Sequence, residues 1–77
     1  MNIQKGLRMP DGIVQWFNPH KGFGFIRPET GRGPDIFVHY TRIAGSGYRV
    51  LEANQYVEYT VSRINGRVEA IDVRVLS

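Results

Sequence analysis

Two short segments carry the side chains best suited to chemistry. Phe23 and Phe25 alternate with glycines in Lys21-Gly22-Phe23-Gly24-Phe25-Ile26, and Phe37 and His39 alternate with aliphatics in Asp35-Ile36-Phe37-Val38-His39-Tyr40. Successive side chains of a strand point to opposite faces. If Ile26, Ile36 and Val38 face a core, Phe23, Phe25, Phe37 and His39 share the other face. A small domain rarely leaves that much ring surface outside without a use for it. The chemistry that fits is stacking, because rings beside basic residues, with glycines between them, suit an unpaired base.

Other residues join this set by position. Trp16 and Phe17 are adjacent, so simple alternation cannot place both on one face. Either one is core and the other surface, or a bulge brings both to the face. The reading adopted is Trp16 partly exposed as a stacking ring, with Phe17 at the edge of the same patch. Lys21, Arg27 and Arg63 are candidate phosphate contacts, with Arg42, Arg49 and Arg67 weaker ones. Lys21 leads because it opens the aromatic segment. His39 suits a contact that is part stacking and part hydrogen bonding. Tyr40 and Tyr48 either extend the ring surface or fasten the loop after it. Gly24 either faces a crowded interior or leaves room for a base.

Several function classes drop out. There is no nucleophile elbow, no phosphate-cradling glycine loop followed by Lys and Ser or Thr, and no pair of carboxylates near an apolar cleft. The chain is therefore not expected to be an enzyme. With no cysteine and only two histidines, no metal site or other cofactor is expected. No apolar run reaches membrane-span length, and the N-terminus lacks a signal peptide's apolar stretch. The expectation is a cytoplasmic protein, monomeric, with no membrane partner and no small-molecule substrate. The net charge of +3 suits an anionic partner but is mild. Affinity for nucleic acid would thus rest heavily on the rings rather than on phosphate charge.

The elements that must position these residues are strands. Seventy-seven residues allow one domain with a modest core. Residues 1–8 read as a flexible extension and 9–77 as the domain. Strands are expected at residues 12–18, 22–27, 35–39, 55–63 and 67–76. Turns fall at Asn18-Pro19-His20-Lys21-Gly22 and Asn65-Gly66. A single helical turn over 40–44, capped by Thr41, is expected before a loop that runs to Asn54. In the last two strands Val57, Tyr59, Val61, Val68, Ala70, Val73 and Val75 are assigned to the inside, which needs an irregularity near Ile71. Five short strands with turns between them predict an all-β fold, a five-stranded antiparallel barrel, closed or nearly so.

Gly12-Ile13-Val14-Gln15-Trp16-Phe17-Asn18, followed by the two aromatic segments, resembles the bacterial cold shock proteins over almost the whole chain. That resemblance implies an OB-type barrel that binds single-stranded RNA and DNA with little sequence selectivity. It also implies an RNA chaperone that melts secondary structure, in some relatives an antiterminator or transcriptional regulator. Trp16, Phe17, Phe23, Phe25, Phe37, His39, Tyr40 and Tyr48 correspond to the family's base-stacking set, and Lys21 and Asp35 to polar contacts beside it. The chain departs from the family pattern in places. Gln15 replaces a usual lysine, Asn54 a usual turn glycine, and Gly66-Arg67-Val68-Glu69 the usual Gly-Pro-Gln stretch. Glu69 thereby brings a negative charge toward the expected binding edge. The rival reading from another class is an OB-type module whose aromatic face docks a ribosome- or polymerase-associated protein.

Overall fold

A computed structural model describes residues 10–77; the extension assigned to residues 1–8 lies outside that range. Five strands form: β1 (Asp11–Asn18), β2 (Phe23–Pro28), β3 (Ile36–His39), β4 (Tyr56–Ile64) and β5 (Arg67–Val75). They close into a barrel in the order β1-β2-β3-β5-β4, with β4 returning to β1. This is the expected OB-type architecture, with one difference. The β1·β2, β2·β3, β1·β4 and β4·β5 pairings are antiparallel, but β3 and β5 run parallel through Phe37–Glu69 and Val38–Ala70. The long connection over residues 40–55 carries the chain across the barrel before the β4–β5 hairpin, so β5 arrives beside β3 in the same direction.

The interior holds Val14, Ile26, Val38, Val57, Tyr59, Ala70 and Val73, all essentially sealed from solvent. Ile43 and Leu51 of the connection complete it, and Phe17, Ile36 and Tyr40 pack against its margin. Burying each aliphatic contributes roughly 1.5–3 kcal/mol, the main term holding so small a barrel closed. Tyr59 is the largest side chain among those fully enclosed.

Two irregularities set which residues face inward. On β1, Val14 pairs with Ile26 and Trp16 with Phe25, so Gln15 is an extra residue that reverses the alternation. On β5, Thr60 pairs with Ile71 but Glu58 with Arg74, and Asp72 takes the left-handed conformation at φ 51°. That kink sits one residue from the irregularity expected near Ile71, and it keeps both Ala70 and Val73 inside. The inward assignment of Val61, Val68 and Val75 is corrected, because all three are exposed. β3 reaches only Glu69 and Ala70 on β5, so the hairpin tip runs past the barrel and has nothing to pack on. Val75 lies at the other end of β5, next to exposed Leu76.

The turn after β3 is a single 3-10 turn, Tyr40–Arg42. Its N-cap is His39 and not Thr41: the His39 Nδ1 accepts from the Thr41 backbone N–H. Asn18 shapes the β1–β2 turn, its Oδ1 accepting from the N–H groups of His20 and Lys21 at 2.9 and 3.0 Å. Gly22, at φ 77°, has no room for a side chain, since a Cβ there would lie 2.7 Å from the Tyr40 ring.

Candidate nucleic-acid interface

The β1 bulge decides the face of two aromatic residues. By reversing the alternation it turns Trp16 outward, 44% exposed, opposite Phe25. It turns Phe17 inward, opposite Gly24, where it packs on the margin of the core. Phe17 is therefore half-buried against the core margin and does not stand outward beside Trp16. Gly24 is fixed by this arrangement, because a Cβ on it would fall 2.2 Å from the Trp16 carbonyl oxygen and 2.7 Å from the Phe17 Cα. Of the two readings of Gly24, the crowded interior accounts for it, the crowding coming from the backbone of β1.

The outward rings form a continuous row. Trp16 lies 5.3 Å from Phe25 and 5.7 Å from Phe23, centroid to centroid. Phe37 lies 5.5 Å from Phe23, nearly parallel to it at 24°, and 5.7 Å from Phe25 at 80°. Cross-strand pairing sets this spacing: Phe25 stands opposite Phe37, and Phe23 opposite His39. A second cluster continues from His39, whose ring is 4.7 Å from Tyr40, itself 4.7 Å from Tyr48. Tyr48 donates from its hydroxyl to the Pro19 carbonyl, so it both fastens the loop and extends the ring surface. His39 Nδ1 is engaged with Thr41, including the hydroxyl at 2.8 Å.

The polar candidates separate by position. Lys21 stands exposed in the turn that opens the ring strand. Arg27 is two residues beyond Phe25 on the same face of β2. The Gln15 amide lies against it; with its oxygen turned that way it accepts from Arg27 Nε at 3.1 Å and Nη2 at 2.8 Å. Asp35 is exposed and immediately precedes β3 instead of belonging to it. Arg63 sits apart. It pairs with Val68 on the hairpin face opposite to Glu69, and its Nη1 donates to the Gly66 carbonyl at 3.3 Å. Arg49 holds its own loop, donating to the carbonyls of Gly45 and Gly47 at 3.1 and 2.6 Å.

Glu69 reaches the edge of the ring surface, beside Phe37, and is largely enclosed there. Only 7% exposed, it lies beside Phe37 through the parallel pairing and takes Arg67 Nε at 3.4 Å. The Arg67 guanidinium carbon in turn sits over the Phe37 ring, 4.2 Å from its centroid. The i, i+2 spacing of Arg67 and Glu69 was a visible sign that both share a face; their neighbour on β3 was not.

A row of rings on one face of a closed barrel, with cations at its rim, is a surface for flat, anionic chains. Residues 10–76 match the family model described as the "Cold-shock" DNA-binding domain. The chain belongs to the cold shock domain family. It is similar to the probable cold shock protein A of Mycolicibacterium smegmatis, at 54% identity over 68 residues covering 88% of this chain and all of that protein. It is also similar to the cold shock-like protein CspD of Escherichia coli, at 57% identity over 53 residues, 69% of this chain and 70% of that one. Among solved structures it resembles Drosophila Unr CSD456, with a TM-score of 0.72 and 25% identity, over the whole of this chain and 32% of that one. Nucleic-acid binding thus comes with the family. Among the described residues no group of His, Cys, Asp or Glu is placed to hold a metal ion, and no helix is long and apolar enough to cross a membrane.

Proposed function

We propose that this cold shock domain binds single-stranded RNA and DNA by stacking unpaired bases on the surface formed by Trp16, Phe23, Phe25 and Phe37, and so acts as an RNA chaperone. The observation that carries the reading is the unbroken row of these four rings, neighbours at 5.3–5.7 Å, on the outer face of β1, β2 and β3. His39, Tyr40 and Tyr48 extend the row, and Lys21, Arg27 and Asp35 supply polar contacts at its rim. Each stacked base is worth roughly 1–3 kcal/mol by alanine substitution. A ring surface accepts only bases that are out of a duplex, so binding favours the open strand over the hairpin by mass action, with no need for ATP. A monomer in the cytoplasm meets the requirements of this role, and antitermination would follow from the same preference.

Trp16 is the chain's single tryptophan, so its fluorescence reports the site directly. Titration with single-stranded oligo-dT at two salt concentrations is expected to quench it, with a shallow salt dependence. No quenching together with no binding by a second probe would overturn the reading and leave a docked protein as the partner of this face.

A further inference from the structure

The row of rings does not stop at β3. The parallel β3·β5 pairing places Glu69 directly beside Phe37, and Arg67, two residues earlier, on the same face of β5. Arg67 lays its guanidinium over the Phe37 ring, 4.2 Å from the centroid. Glu69, its side chain 9% exposed, holds the Nε at 3.4 Å, while the Arg67 side chain remains 62% exposed. The guanidinium therefore has the Phe37 ring on one side and a carboxylate at its Nε, while most of the side chain stays open to solvent. An arginine fixed in this way loses little freedom when something stacks on it. Guanidinium planes, like aromatic rings, accept unpaired bases. Because Glu69 offsets its charge locally, Arg67 is poorly placed to act as a simple phosphate counter-ion.

We propose that Arg67 is a further stacking member of the surface: a base at the β3–β5 seam stacks on the guanidinium of Arg67, which Phe37 and Glu69 hold flat. The proposal rests on the nucleic-acid reading above and adds a position on β5 to it. It makes Phe37 the support of a two-layer stack and not itself the outermost surface at that position. Glu69 becomes the residue that keeps the plane in place, which accounts for a carboxylate buried at an otherwise anion-seeking face.

The test is Trp16 quenching by oligo-dT with wild type, Arg67→Ala, Arg67→Lys and Phe37→Ala, and the Arg67→Ala/Phe37→Ala double variant, each first shown to be folded by circular dichroism. Arg67→Ala is expected to weaken binding about tenfold, in the range for one stacked base. Arg67→Lys keeps the charge but has no plane, and is expected to bind as weakly as Arg67→Ala. The double variant is expected to bind more tightly than the product of the two single effects implies, because Arg67 without Phe37 has no support. Wild-type affinity in Arg67→Lys would overturn the proposal in favour of a charge contact. Unchanged or tighter binding by Arg67→Ala would overturn it in favour of a solvated or covering side chain. Absence of binding by the wild type itself would instead overturn the nucleic-acid reading.

Discussion

The contributions of ring and charge at this surface are separable residue by residue. Phe25 touches both Trp16 and Phe37, so its loss opens the row at its middle. Phe25→Ala is expected to weaken oligo-dT binding by roughly 5- to 150-fold, the equivalent of one stacked base. Lys21→Gln is expected to cost less and to lower the salt slope by about 0.7, the share of one phosphate contact on a single strand. With two or three such contacts the wild-type slope should be only about −1.5 to −2. Titration of both variants across salt checks this, and equal losses with a steep slope would contradict a stacking-dominated surface. The outward rings Phe23, Phe25, Phe37 and His39 were legible from alternation alone, because each has an aliphatic or glycine neighbour that fixes the phase. The mutual contacts of Arg67, Glu69 and Phe37 were not legible. They depend on Phe37 lying beside β5, some thirty positions away in sequence, and no local pattern announces a parallel pairing.

At the scale of the elements, the strands and turns followed from periodicity and from Pro, Gly and Asn. The failures cluster where a strand breaks its own period. The Trp16-Phe17 pair announced an irregularity in β1, but a pattern of two cannot say which residue is the extra one; the pairing identifies Gln15. Val61 and Val68 keep the alternation of buried residues and yet are exposed, because burial requires a strand to pack on and β3 is only four residues long. The same close fit of β1 on β2 gives a stability prediction. Gly24→Ala drives a methyl group into the backbone of Trp16 and Phe17, which cannot yield as a side-chain tip would. The expected loss is about 1–3 kcal/mol, read from the urea midpoint, with a further loss of binding as Trp16 is displaced. A wild-type midpoint would show that the two strands stand further apart than described.

For the molecule as a whole, one buried phenol links stability to pH. Burial pushes the Tyr59 hydroxyl above the ordinary tyrosine value, and the charge of Asp11 adds to the shift. The unfolded chain gives up this proton near pH 10, while the native state keeps it to higher pH. Stability from this source is therefore complete below about pH 10 and falls as pH rises through that value toward the native one. Thermal melts between pH 9 and 11 should show the decline, and Tyr59→Phe should flatten it. A different consequence follows from the two-pair seam between β3 and β5. It is the shortest junction in the ring, and its partners lie on either side of the long connection rather than in one hairpin. Closing it costs loop entropy that the local hairpins do not incur, so it is the natural place for the barrel to breathe. A nucleic-acid strand laid from Phe23 over Phe37 to Arg67 would cross that junction like a suture. Amide hydrogen exchange at Val38 and Ala70 is then expected to slow on adding oligo-dT by more than exchange in the β1–β2 hairpin does. In that case the oligonucleotide is part of what keeps the ring shut.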